Sequence, residues 1–331
     1  MENHPLIQPL LDYSIKYGYN LYCKSKLKAI EFPSEVWIEN TNHCNADCVM
    51  CPRESMTRKC GFMPLGLYEK LIREISRYNV KRVHLHNFGE PLLDKELPDR
   101  IKIAKNHGIK HTFLVTNGSL LFPDVSASLI KAGLDEFKIS FYGTDSKTYN
   151  ETMRGLDFEK TLQNIRIFFK IRRELNSSTP KITIRYLPQK SNKEKTGDFF
   201  KIFRPMINKH IGDKLEIYRL HNYGGGKDYY DLGRALMACG YLWNIMVILY
   251  DGKVVKCCMD YDGTHAVGDV NKSSIREIWN SDELNKVRED FKRLNYKEYA
   301  TCIKCDEIRF SKKRHNKRVS GIGSAPAFGI L

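Results

Sequence analysis

Three cysteines fall within eight residues, Cys44, Cys48 and Cys51, in the stretch "ENTNHCNADCVMCPRE" and with the spacing C-x3-C-x2-C. A closed structural zinc site takes four protein ligands and disulfides use cysteines in pairs, so a set of three points to a metal centre with one position open for chemistry. The competing reading is a zinc knuckle completed by His43, but the adjacent side chains of His43 and Cys44 rarely suit one tetrahedral ion. A second set lies downstream: Cys239, the neighbours Cys257 and Cys258, and a C-x2-C at Cys302 and Cys305. Four of these five would close a tetrathiolate site, which either zinc or an iron-sulfur cluster accepts. Cys23 and Cys60 follow no partner pattern.

Both sets need a scaffold, and the first finds one directly upstream. Six β-branched or aromatic runs, at 35–40, 82–87, 111–117, 136–142, 181–187 and 214–220, read as strands. Between them lie helical patterns at 65–78, 97–108, 124–133 and 158–175, several ending at glycine or asparagine. Strands alternating with helices predict a parallel α/β sheet whose active site sits at the carboxyl ends of the strands. The cysteine triplet directly follows the first strand, and Arg219, His221, Asn222 and Tyr223 follow the sixth. These four suit either substrate binding or linker packing. His84 and His86 share one face of the second strand, where a buried, hydrogen-bonded histidine is the commoner outcome.

Past the glycine-rich "HNYGGGKD" (221–228) the pattern changes. "IMVILYDGKVVKCC" predicts a hairpin turned by the two residues Asp251 and Gly252. The segment 274–294 predicts helix, with Ile275, Ile278, Trp279, Leu284, Val287 and Phe291 as a core stripe. The expected organisation is an N-terminal extension (1–34), a barrel-forming domain (35–222), a smaller domain (223–310) and a basic tail (311–331) that includes "SKKRHNKR".

With 331 residues, 42% hydrophobic and 28% charged, the composition is that of a soluble globular protein. No basic leader precedes a long apolar run, and every hydrophobic segment is interrupted well before membrane-spanning length, so a cytoplasmic location is expected. In a reducing compartment clustered cysteines are metal ligands sooner than disulfides. The formal charge of +15 suits a solvated lysine-rich surface or an anionic partner, such as a phosphorylated substrate or nucleic acid.

Further motifs stand at the strand ends: "NFGEP" (87–91), "TNG" (116–118), Ser140 and "ETMRG" (151–155). Together with the triplet they resemble the radical S-adenosylmethionine (SAM) enzymes, whose fold is a partial (β/α)6 TIM-like barrel. The resemblance implies that Cys44, Cys48 and Cys51 hold a 4Fe-4S cluster whose fourth iron position binds SAM. It further implies that Gly89, Glu90, Asn117, Ser140 and Arg154 serve SAM, with Glu90 at its amino group and Arg154 at its carboxylate. Phe88 replaces the family's usual first glycine, and Met50 an aromatic before the last cysteine.

From "DGKVVKCC" to "CIKC" the chain resembles the SPASM/twitch domains, small α+β appendages that carry auxiliary clusters. The spacing of 18 residues from Cys239 to Cys257, 45 to Cys302 and 3 to Cys305 is similar to the shorter twitch form. That implies one auxiliary 4Fe-4S cluster on Cys239, Cys257, Cys302 and Cys305. The implied activity is reductive SAM cleavage and hydrogen abstraction, oxidising or epimerising a carbinol of a sugar, cyclitol or glycan precursor, with a flavodoxin- or ferredoxin-type electron donor. Arg219, His221 and Cys258 are the candidate catalytic residues; Cys60 is a further thiol to test in an epimerase. The alternatives are a peptide- or protein-modifying maturase and, from another class, a zinc-containing basic protein that binds nucleic acid.

Overall fold

The computed structural model describes residues 27–189, 192–227, 235–236 and 238–310. Cys23 and the basic stretch from residue 311 lie outside them. The six expected strands form: β1 (Glu35–Ile38), β2 (Arg82–His84), β3 (Thr112–Thr116), β4 (Glu136–Ser140), β5 (Lys181–Tyr186) and β6 (Lys214–Ile217). All pair in parallel and in sequence order. The intervening helices are Leu65–Ile75, Leu97–Asn106, Pro123–Ala132, Phe158–Glu174 and Thr196–Phe203, with a short Ser146–Thr152 before the fourth. The first four of these five pack against one another in succession. Sequential strand order with neighbouring helices in contact puts those helices on one face of the sheet, and the other face becomes the lumen of a partial (β/α)6 barrel.

Alternation along the strands sorts the residues. Val36 and Ile38 of β1 and Val83 of β2 are fully buried in the main core, which also takes Tyr68, Leu71, Ile72 and Ile75 of the first helix. Trp37, His84, His86 and Phe113 pack together, with the Trp37 and His84 rings stacked at 4.2 Å and 12°. His84 Nε2 bonds the Glu35 carboxylate at 2.6 Å, so the buried reading of this histidine holds. Burial lowers its pKa to about 4, although the Glu35 carboxylate pulls the other way. The unfolded chain therefore binds this proton from pH 6.5 downward while the fold does not, and stability falls as pH drops through that window. The loss should reach about 1 kcal/mol by pH 5.5 and approach about 3 kcal/mol below pH 4. Urea midpoints of wild type against H84N between pH 7.5 and 5.5 measure it.

The smaller domain is not a detached appendage. Its strand β7 (Ile245–Ile248) lies parallel beside β1, pairing Glu35 with Ile245 through Ile38 with Ile248. Strands β8 (Lys253–Val255) and β9 (Ala266–Asp269) follow antiparallel, giving the nine-stranded order β9-β8-β7-β1-β2-β3-β4-β5-β6. Pairing covers the open edge of β1.

Two local expectations are corrected. The hairpin is closed by the Leu249 N–H to Lys253 O bond of 2.8 Å, leaving the three residues Tyr250, Asp251 and Gly252 as the loop, with Gly252 at φ +92°. The segment 274–294 is two helices, Ile275–Trp279 and Asp282–Lys292, because the Ser281 hydroxyl accepts from Leu284 N and starts a new helix. No helix among the described residues is long and apolar enough to cross a membrane.

Candidate metal centres and cofactor site

The chain leaves the carboxyl end of β1 as Glu39-Asn40-Thr41-Asn42 and enters the cysteine loop. Cys51 N donates to Cys48 O at 3.0 Å, and Asp47–Cys48 pairs antiparallel with Met153–Arg154. The three thiols are half-buried, and burial raises the pKa of each; Cys51 and Cys44 raise that of Cys48 further, Glu90 that of Cys44, and Cys51 is pushed up to about 11. Thiols this crowded become thiolates when a metal supplies the compensating charge, so the donor set fits a cluster.

Gly89 crosses directly beneath this loop. A Cβ there would stand 2.4 Å from the Thr41 carbonyl oxygen and 2.8 Å from that of His43. The close approach lets Glu90 N donate to His43 O at 2.8 Å. The buried Glu90 carboxylate accepts from Thr116 Oγ1 (2.6 Å), Asn117 N (2.7 Å) and Leu92 N (3.1 Å), yet burial still pushes its pKa up to about 7. An ionised buried carboxylate in this state favours a cationic neighbour. The Asn117 amide donates to Asn45 Oδ1 of the cysteine loop at 2.9 Å, and Ser140 Oγ accepts from Tyr142 OH at 2.9 Å. Arg154, half-exposed, pairs with Asp47 at 3.1 Å. Gly89, Glu90, Asn117 and Arg154 thus each touch the cysteine loop, whereas Ser140 bonds Tyr142.

Sequence reading missed a hub at the end of β1. Glu39, fully buried, accepts both terminal nitrogens of Arg58 at 2.5 Å, and also Phe88 N and Tyr250 N. Arg58 belongs to the segment after the third cysteine, which Asp262 of the smaller domain holds through Thr57 N, Thr57 Oγ1 and Arg58 N. One carboxylate therefore ties the cysteine loop, the "NFGEP" turn and the hairpin together. E39A strands the Arg58 guanidinium, whose side chain is 12% exposed; it should cost about 3–5 kcal/mol in chemical denaturation.

Cys239, Cys257, Cys302 and Cys305 line one small cavity with Lys256, Met259 and Glu307. Cys258 does not line it; its side chain packs with Ile245, Val247, Leu249 and Val255 instead. Four thiols facing one cavity are the donor set of a closed tetrathiolate centre. The turn carrying the last two cysteines is held by Asn222, whose amide donates to Lys304 O at 2.6 Å and accepts from Asp306 N at 3.0 Å. Gly224 and Gly225, at φ +65° and +87°, allow this approach, since a Cβ on Gly225 would meet Lys304 Cβ at 2.5 Å. The glycine run is a docking element between the end of the barrel and the C-x2-C turn.

Arg219 and His221 converge on Glu307. The His221 Nδ1 to Glu307 Oε1 distance is 2.9 Å, and the Arg219 guanidinium donates to the same oxygen. Glu307 was not a sequence candidate; its place two residues beyond Cys305 was the available signal. Cys60 is exposed and unpaired in the segment held by Asp262.

Two family patterns match the chain. The radical SAM superfamily pattern matches residues 38–183 and the SPASM iron-sulfur cluster-binding domain matches residues 239–306. A probable GTP 3',8-cyclase of Methanothermobacter thermautotrophicus is 35% identical over 125 residues, 38% of this chain and only 40% of that protein's length. The S-adenosyl-L-methionine-dependent 2-deoxy-scyllo-inosamine dehydrogenase of Niallia circulans is 22% identical over 282 residues, 83% of this chain and 93% of that protein. Among solved structures, BtrN in complex with AdoMet and 2-DOIA superposes with TM-score 0.58 at 20% identity, covering 84% of this chain and 94% of that one. Streptococcus suis SuiB bound to precursor peptide SuiA superposes with TM-score 0.64 at 15% identity, covering 92% and 77%.

Proposed function

We propose that this chain, which carries a radical SAM domain followed by an iron-sulfur cluster-binding SPASM domain, oxidises a carbinol of a sugar, cyclitol or glycan precursor. The observation that carries the reading is the pair of thiol sets: three cysteines in the loop after β1, and four that line one cavity. SAM bound at the first set, on one-electron reduction by a flavodoxin- or ferredoxin-type donor, supplies the 5'-deoxyadenosyl radical that takes the substrate hydrogen. Cys44, Cys48 and Cys51 hold the first 4Fe-4S cluster. Glu90 holds the SAM ammonium, Gly89 makes room for the turn, Asn117 and Ser140 border the nucleoside, and Arg154 exchanges Asp47 for the SAM carboxylate. Cys239, Cys257, Cys302 and Cys305 would hold one auxiliary cluster, which would supply the electron acceptor for oxidation of the carbinol to a ketone.

The two-way coverage with the cyclitol dehydrogenase supports a carbinol substrate. The likeness to a peptide-bound structure supports the second reading, a peptide-modifying maturase. An epimerase would need a thiol to return hydrogen, and Cys258 is packed into an apolar wall. Anaerobic loading with iron and sulfide should give about eight irons per chain. Incubation with SAM and 2-deoxy-scyllo-inosamine or a panel of related aminocyclitols and sugars should then give 5'-deoxyadenosine and a ketone. Zinc without iron, or modification of peptides and no carbinol, would overturn the reading; solvent deuterium entering carbon without oxidation would favour the epimerase.

A further inference from the structure

His221 stands beyond the carboxyl end of β6, on the edge of the parallel sheet from which the first cysteine loop also departs. Its ring is 5% exposed. One side is fixed: Nδ1 lies 2.9 Å from Glu307 Oε1, 3.9 Å from Asp306 Oδ1 and 3.5 Å from the Arg219 guanidinium. A neutral ring so held carries its proton on Nδ1, donated to Glu307, and leaves the lone pair on Nε2. The bond to Glu307 and the closest approaches of Asp306 and Arg219 all fall on Nδ1. Glu307 meanwhile reaches the auxiliary site, for its own backbone N–H donates to Cys305 Sγ at 3.4 Å. A continuous series of contacts extends the other way: the Tyr218 ring lies 5.3 Å from His221, Arg185 stacks on Tyr218 at 4.3 Å, and Glu216 binds Arg185 at 2.6 Å. A carboxylate that orients an imidazole and presents its second nitrogen is the arrangement of a general base.

We propose that His221 is the base that takes the substrate hydroxyl proton, with Glu307 positioning it and linking it to the auxiliary-cluster ligand Cys305. The inference rests on the carbinol-oxidation reading above. Once the substrate carbon has lost its hydrogen atom, the O–H proton passes to His221 Nε2 and the remaining electron to the auxiliary cluster, which is reduced by one electron. A C=O bond forms, and the proton and the electron end on opposite sides of Glu307. This placement lets the imidazolium stabilise the reduced cluster electrostatically. Burial alone would lower the His221 pKa, but the bonds to Asp306 and Glu307 outweigh it and Arg219 opposes them only in part, so the ring is a stronger proton acceptor than an ordinary histidine.

The coupling is measurable without a substrate. A chain with Cys44, Cys48 and Cys51 replaced by alanine is loaded anaerobically so that only the auxiliary cluster is present, and its midpoint potential is followed by EPR from pH 6 to 9. With His221 intact the potential should become more negative as pH rises through the histidine titration. With H221Q it should be flat, and with E307Q the slope should weaken, the cluster spectrum serving as the check that each variant folds. An equal slope in H221Q, arising from Asp306, Lys256, Asp260 or His265, or no slope in any chain, overturns the proposal. A chain that takes up zinc and no iron-sulfur cluster overturns the function on which the proposal rests, and the proposal with it. On a carbinol that the enzyme oxidises, H221A should still form 5'-deoxyadenosine, lose ketone formation and regain it with added imidazole; ketone formation at the wild-type rate without imidazole overturns the proposal.

Discussion

Replacing Cys44, Cys48 and Cys51 together by alanine is expected to reduce 5'-deoxyadenosine formation to background and to halve bound iron, from about eight atoms per chain to about four. The expectation follows from the geometry of the cysteine loop. Cys48 is held in the ladder with Met153, and Cys51 closes back on Cys48, so the three sulfurs are presented by one short backbone unit with no fourth protein ligand in the loop. On the proposed function, removing all three deletes the thiols that hold the first cluster, and among the described residues the other thiol set does not replace them, because those four line their own cavity. The fold should survive. None of the three is among the fully buried residues, and the loop is anchored by Glu39, Arg58 and Asn42 independently of the sulfurs. Iron analysis, the ultraviolet circular dichroism spectrum and a SAM-cleavage assay separate the outcomes. Undiminished iron would mean that the triplet holds no cluster; a collapsed spectrum would mean that it is structural.

The barrel was legible because its signals are local. Period-two strands such as 35–38 and period-3.6 helices such as 65–75 carry their own burial pattern, and the strand order follows from their alternation. The cysteine triplet was legible for the same reason, being contiguous. What escaped the sequence depends on long-range contacts. Nothing near Glu39 announces that Arg58, Phe88 and Tyr250 will meet there, or that β7 will pair with β1 across more than two hundred residues. Glu307 likewise becomes interesting only once Arg219 and His221 are seen beside it. The glycine-rich stretch 221–228 reads in sequence as a break between two patterns, whereas Gly224 and Gly225 serve a close backbone approach to the C-x2-C turn. A glycine run signals backbone freedom, and the sequence does not say whether that freedom is spent on flexibility or on contact.

The same long-range packing separates two residues that sequence alone leaves side by side. C302A/C305A should retain SAM cleavage within about tenfold of wild type and lose ketone formation, because on the proposed function the auxiliary set acts after hydrogen abstraction and Cys44, Cys48 and Cys51 are untouched. Of the adjacent pair, C257A should behave like C302A/C305A in losing the auxiliary cluster, while C258A should keep all of the iron. Cys257 lines the cavity with Cys239, Cys302 and Cys305; Cys258, one residue on, does not line it and packs with Ile245, Val247, Leu249 and Val255. A thiol in that apolar wall lies 8% exposed with its pKa raised, burial being the first cause and Cys257 the second. Truncating it removes a small buried group and should cost about 1–2 kcal/mol of stability, without altering ligation. Iron loss in C258A with retention in C257A would reverse the assignment.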